Sequence, residues 1–236
     1  KELKDFQTGD KVNLLVGQNI WSKNYQKINY FRTQPYGYKE ISKEVGCSCD
    51  TIRRNRNGEK TGFDEKINAC YEKYTGLINA TRRKKIKVPS VCNEKFASFL
   101  GYLIGDGNIS KVNRAICLTS GDMEQIKTFC ELTKSLFGLT AKIKTDNDGR
   151  RHRAMIYSKE LEKLLLSLGL THGFSARRKS VPEIVLNSPK SVVAAFIRSY
   201  FDCDGYGGKH GVILSSSSVK LIKQTQLLLL NFGILS

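Results

Sequence analysis

The feature that most constrains this chain is a short run that occurs twice. Phe99-Leu100-Gly101-Tyr102-Leu103-Ile104-Gly105-Asp106-Gly107 returns, loosely, as Ile197-Arg198-Ser199-Tyr200-Phe201-Asp202-Cys203-Asp204-Gly205. Each copy reads as an apolar helix ending on an aspartate and a glycine. Glycine is the usual helix stop because it enters the left-handed conformation without strain, so each acid is expected in the last turn of its helix. That end is already electronegative, and an acid there is destabilising unless a cation lies beside it. Gly101 and Gly105 are four apart and share one helix face. Ser199 and Cys203 hold the matching places in the second copy. Small residues at this spacing let two helix backbones approach closely. Helices packed along these faces bring Asp106 and Asp204 side by side. Two close carboxylates repel, and one is normally protonated. A divalent cation removes that penalty, and oxygen-only ligands suit magnesium or calcium. Taken singly, either copy also describes an ordinary core helix with an Asp-Gly turn.

The two copies resemble the paired motifs of LAGLIDADG homing endonucleases, specifically the dodecapeptide type found inside inteins. Leu100–Gly107 is close to that family's pattern, and so is Tyr200–Gly205, with Cys203 where a small residue is usual. The resemblance runs from Glu94 to the end of the chain. It implies an α+β fold of two pseudo-symmetric αββαββα halves. It also implies a pseudo-twofold monomer acting on a long, mostly asymmetric duplex, cut on both strands with short 3′ overhangs. Asp106 and Asp204 are its catalytic acids, and with Gly105 and Cys203 they make up the metal-ligating set. Two or more magnesium ions are the expected cofactor, with manganese substituting and calcium binding without cleavage. In the resembled family a lysine shortly before a proline, between the motif helices, lies in the active site. Lys179, in Arg177-Arg178-Lys179-Ser180-Val181-Pro182, matches that position. Its role there is to stabilise charge on the scissile phosphate or to polarise the attacking water.

Charge points the same way. Lys and Arg outnumber Asp and Glu by 39 to 22, a net +17 with a pI near 9.6. That balance favours a nucleic-acid partner. An anionic membrane is the rival, but no apolar run approaches the roughly 20 residues of a membrane span, and no signal peptide opens the chain. The seven cysteines form no zinc pattern, since Cys47 and Cys49 lack a second pair and a nearby histidine. They read as reduced thiols of an intracellular protein, in a prokaryotic cytoplasm or at the nucleoid.

Four regions follow along the chain. Residues 1–20 resemble a fragment of an intein splicing domain, a turn at Lys4-Asp5-Phe6-Gln7-Thr8-Gly9-Asp10 leading into a strand at Val12–Val16. No nucleophilic Cys or Ser, Thr-x-x-His or terminal His-Asn accompanies it, so these residues alone cannot complete splicing. Residues 21–88 form a small helical DNA-binding region. There Tyr38–Val45 is amphipathic, Gly46 stops it, and Ser48 or Asp50 caps an arginine-rich helix. This is the helix-turn-helix pattern. In it Ser48, Cys49, Thr51, Arg53, Arg54 and Arg56 face bases or phosphates. Another helix spans Phe63–Ala80. The basic run Arg82, Arg83, Lys84, Lys85 adds phosphate contacts, which raise affinity without choosing sequence.

Residues 89–185 are the first motif half. Its expected order is a helix at Glu94–Gly105, strands at Ile109–Val112 and Ala115–Thr119, and a helix at Asp122–Phe137. A hairpin, Leu139–Thr145 with Arg151–Tyr157, crosses the turn Asp146-Asn147-Asp148-Gly149, and a helix at Glu160–Leu168 closes the half. Lys142, Lys144, Arg151 and Arg153 are assigned to a basic sheet face suited to the major groove. Residues 186–236 are the second half, with a helix at Lys190–Asp204, a strand at Gly211–Ser215 and a helix at Ser216–Phe232. The second half lacks the closing hairpin and last helix of the first, so it is expected to be truncated, with another fragment of the same protein available to complete it. The resulting reading is a magnesium-dependent, intein-associated DNA endonuclease. Three alternatives stand beside it: a non-catalytic regulator joining a degenerate fold of this kind to a helix-turn-helix, an RNA maturase, and an inactive remnant that still binds DNA.

Overall fold

In the computed structural model, residue 17 and residues 20–28, 38–73, 86–112, 115–173, 176–209 and 211–236 are described. The expected splicing fragment at 1–16, the later part of the helix expected to reach Ala80 and the basic run Arg82–Lys85 lie outside them. Three helices come first: α1 (Tyr38–Val45), α2 (Cys49–Arg56) and α3 (Asp64–Lys73). They close on their own small core of Ile41, Val45, Ile52, Ile67 and Cys70. Gly46 turns the chain between α1 and α2 at φ 77°, a conformation that favours glycine. Ser48 caps α2 by accepting the Thr51 amide at 3.1 Å.

The body of the protein begins at α4 (Glu94–Gly105), capped by the Asn93 side chain on the Phe96 amide. β1 (Gly107–Ser110), β2 (Ala115–Ser120), α5 (Met123–Phe137), β3 (Lys142–Thr145), β4 (His152–Ile156) and α6 (Lys159–Ser167) follow. The four strands form one antiparallel sheet in the order β1-β2-β4-β3. A short α7 (Glu183–Leu186) leads to α8 (Lys190–Asp204), the hairpin of β5 (Gly205–Gly208) and β6 (Gly211–Leu214), and α9 (Val219–Asn231). The fold is α+β, with two related halves that share one continuous core. Its centre is aromatic: Phe99 stacks on Phe129 and meets Phe137 edge-on, both with ring centroids 5.0 Å apart.

α4 and α8 pack face to face because their shared faces are almost bare. A Cβ added at Gly101 would stand 2.5 Å from the Phe196 carbonyl oxygen and 2.9 Å from Ser199 Cβ. One at Gly105 would stand 2.4 Å from Cys203 Cβ. The spacing of small residues therefore fixes the helix pair, as expected.

The glycines after the acids serve a different purpose from the expected one. Neither Gly107 nor Gly205 has a positive φ, and Gly205 sits at φ −87°, ψ 146°. Each is extended and begins a strand at once, so β1 starts two residues earlier than its sequence suggested and β5 was not anticipated. What demands glycine is proximity. A Cβ at Gly107 would lie 2.4 Å from the Leu103 backbone, and one at Gly205 2.4 Å from the Phe201 carbonyl oxygen. The chain folds back onto the last turn it has just left.

Residues 21–28, assigned above to the helical region, and Ile20 before them pack instead along the body. Trp21 lies 4.5 Å from the Phe232 ring, Asn231 brackets the Ile20 backbone at 2.9 and 2.8 Å, and Lys27 bridges to Val91. The bridge and the ring contact hold this segment where helical periodicity would not.

Among the described residues no helix is long and apolar enough to cross a membrane. All seven cysteines are free.

Candidate active site

The two motif acids end the two central helices. Asp106 is the C-cap of α4, its amide bonded to the Tyr102 carbonyl at 3.1 Å, and Asp204 is the last residue of α8. Close packing of the helices couples them. Burial, then the Asp204 charge, pushes the Asp106 carboxyl up to about 6 against the pull of Lys179. Burial likewise raises Asp204, with Lys179 again opposing. The Cys203 thiol between them is pushed up to about 12 by burial and then by Asp106, so it stays neutral.

Lys179 lies over this pair. Its ammonium donates to the carbonyl oxygen of Gly105. Burial lowers its pKa, while Asp204 and Asp106 favour its charged form. The loop carrying it follows a short 3-10 turn, Ala176–Arg178, and is fastened from the second half. Ser218 Oγ donates to the Lys179 carbonyl at 2.6 Å, and the Val181 amide donates to Gln224 Oε1 at 2.9 Å. Ser218 also caps α9. Its capping role is visible in sequence as a serine before an apolar helix. Its hold on a loop thirty-nine positions away is not.

The donor set around Asp106 and Asp204 fits a hard divalent cation. It consists of two half-buried carboxylates and the helix-end carbonyl of Gly105, all oxygen. Beyond these two acids, no group of three or more His, Cys, Asp or Glu gathers among the described residues. A second polar chain runs on the outer side of the helix pair, where Tyr102 Oη donates to Asp202 Oδ2 at 3.4 Å and Gln125 reaches the Asp202 carbonyl. Sequence reasoning did not single these residues out.

The basic residues occupy two separate surfaces. Lys142 and Lys144 on β3 and Arg153 on β4 are exposed on the outer face of the four-stranded sheet, with Lys144 opposite Arg153. Arg153 also pairs with Asp146 at 3.3 Å. Arg151 lies just before β4, its carbonyl accepting the Asp146 amide and closing the hairpin loop. On α2, Arg53, Arg54 and Arg56 are exposed, Ser48 is exposed at the cap, and Cys49 and Thr51 are half-buried. Arg53 pairs with Asp50, Arg54 with Glu59 and Arg56 with the Tyr38 hydroxyl.

Comparison with known proteins locates these features. The chain is 38% identical over 158 residues to a replication factor C small subunit of Methanocaldococcus jannaschii, a match covering 66% of this chain and 8% of that protein. It is 38% identical over 130 residues to an A-type ATP synthase subunit of Pyrococcus abyssi, covering 55% of this chain and 12% of that one. The match thus spans about a tenth of each relative's length. Among solved structures, I-DmoI in complex with DNA and manganese is similar over 61% of this chain and 80% of that one, at 20% identity and a TM-score of 0.44. The model of the LAGLIDADG-like domain matches residues 93–179 and 191–236, which is more than half of the chain and includes both acids and Lys179. The chain belongs to the LAGLIDADG-like domain family.

Proposed function

We propose that this chain is a site-specific double-strand DNA endonuclease of the intein-associated kind. The observation that carries the reading is the meeting of Asp106 and Asp204 at the foot of the glycine-packed helices, with Lys179 over them. Asp106 and Asp204, with the carbonyls of Gly105 and Cys203, would hold magnesium, which would supply the Lewis acidity that phosphodiester hydrolysis needs, with manganese an active substitute and calcium an inactive one. Partial burial of the two acids weakens the screening of their charge by water. The Lys179 ammonium, held beside the acids at the Gly105 carbonyl on a loop that Ser218 fastens, would stabilise charge gathering on the oxygens of a scissile phosphate. Lys142, Lys144, Arg151 and Arg153 place the duplex along the sheet, and the exposed arginines of α2 take a second stretch of backbone. Arg82, Arg83, Lys84 and Lys85 extend that contact. The relatives support the intein-associated part of the reading. Two proteins with different names each match this chain over a small part of their length, as hosts of a common inserted element do. The protein acts as a monomer on double-stranded DNA.

The test is to incubate the protein with randomised duplexes and magnesium and to sequence new ends. Recurrent double-strand ends that vanish in Asp106→Asn support the nuclease. A second reading, a DNA-binding regulator, is favoured by the separately cored α1–α3 unit with its arginine face. It predicts retained duplexes without new ends.

A further inference from the structure

The two sheets that flank the acids are matched in backbone and opposite in chemistry. Each first strand leaves its acid at the next residue, so Gly107 corresponds to Gly205. Gly107 pairs with Leu118, and Gly205 with Leu214. The same register sets Asn108 against Tyr206 and Cys117 against Ile213. Residues paired across antiparallel strands share a face, and the face alternates along each strand. In the first half the inner positions Ile109, Ile116 and Leu118 are buried. In the second, Val212 and Leu214 line a groove of about 830 Å³ with Ile197, Phe201, Ile222 and Leu229 from α8 and α9. Tyr206 and Ile213, paired with one another, therefore stand on the opposite, outer face.

That outer face is largely polar and basic in the first half, with Asn108, Thr119, Lys142, Lys144 and Arg153 set around Cys117 and Met155. On the second-half hairpin it is apolar. Ile213 is 53% exposed and Tyr206 68% exposed. The Tyr206 ring lies along β5 over Gly208, where a Cβ would stand 2.9 Å from its Cε1. Gly208 and Gly211 are paired beyond it, and a Cβ at Gly211 would meet nothing within 4 Å. The result is a flat apolar platform with bare backbone around it, where the first half offers hydrogen-bond donors.

Resting on the endonuclease reading above, we propose that Ile213 and Tyr206 are specificity-determining residues that recognise thymine C5-methyl groups in the half of the duplex lying under β5 and β6. The edges of base pairs in the major groove present one apolar group, the thymine methyl. Lys142, Lys144 and Arg153 are matched instead to acceptor edges, those of guanine above all. One enzyme thus reads its two half-sites with two different chemistries.

The test starts from duplexes that the full chain enriches from a random pool in calcium. Uracil, which is thymine without the methyl, then replaces thymine in one half at a time. One half is expected to lose about fourfold in affinity per contacted thymine, the value of one buried methyl. The other half is expected to change little. The double variant Tyr206→Ala, Ile213→Ala, at two exposed positions that leave the core intact, should bind thymine and uracil duplexes alike. Its affinity should match that of the unaltered protein for uracil. Equal sensitivity of both halves, no thymine in the enriched half-site, or discrimination that survives the double variant overturns the proposal while leaving the nuclease reading standing. Failure to enrich any duplex overturns both.

Discussion

The two halves of the motif body share a plan and divide the work unequally. In the first, the inner face is buried along β1, β2 and β4, with Ile143 on the edge strand β3 left 45% exposed, and Phe99, Phe129 and Phe137 fill the centre. In the second, two strands rest on α8 and α9. Val212, on the inner side, is 71% exposed, whereas its counterpart Ile116 is 1% exposed. The second half is stabilised through α8, whose Val192, Val193, Phe196 and Tyr200 enter the common core. Its own contribution is geometric: α8 supplies one acid, and α9 fastens the lysine loop of the other half. The comparison teaches that the acid pair belongs to the interface between halves, so its integrity depends on the helix contact more than on either sheet.

The largest expected effect breaks that contact. Gly101→Val drives a branched side chain into the Phe196 carbonyl and Ser199 and should cost about 3 kcal/mol or more in chemical denaturation. Gly207→Val, on β5 where nothing lies within 4 Å, should change stability by less than about 0.5 kcal/mol. Comparable losses from both would remove the distinction between interface and sheet. Next in size, Phe129→Ala in the first half should cost about 3 kcal/mol, and Leu228→Ala in the second, 8% exposed, about 2.

A pH scan sharpens the account of the acids. The Asp106 pKa is higher in the fold, about 6, than in the unfolded chain, near 3.8. Its contribution to stability is therefore full below the unfolded value and is lost as pH rises through about 6. Asp106→Asn should flatten this loss, gaining about 1 kcal/mol at pH 7 once solvent screening of a partly exposed carboxyl is allowed for. Magnesium should raise the melting temperature of the unaltered protein at pH 7 and leave it unchanged at pH 4.5, where protons hold the site. Ser218→Ala, which removes a helix cap and the tether on Lys179, should cost about 1 kcal/mol by denaturation. Smallest is Arg54→Ala on α2. The Arg54–Glu59 pair is exposed, so thermal stability should hardly move while the salt dependence of DNA binding weakens.

The central helix pair was legible in the sequence because its requirement is local: small residues four apart can serve little else on an apolar helix. The β3–β4 turn was legible from Asp146-Asn147-Asp148-Gly149, and α5 from its Asp122 cap and Gly138 stop. Lys179 needed the family resemblance, since one lysine in a basic loop carries no signal of its own. β5 was unread because Gly-Tyr-Gly-Gly has little strand propensity and forms only against β6. The purpose of Gly107 and Gly205 was misread as a left-handed stop, because a close approach to one's own helix leaves no mark in sequence. Ser218 and Gln224 act on a loop of the other half, a contact that only the tertiary fold creates.

The central claim, one site made by two halves, is tested most directly by strand-specific cleavage. An enriched duplex, labelled on each strand in turn, is digested with magnesium by the unaltered protein, by Asp106→Asn and by Asp204→Asn. The account predicts double-strand cutting by the first and at most a single nicked strand from either variant. Undiminished double-strand cutting by either variant would contradict it.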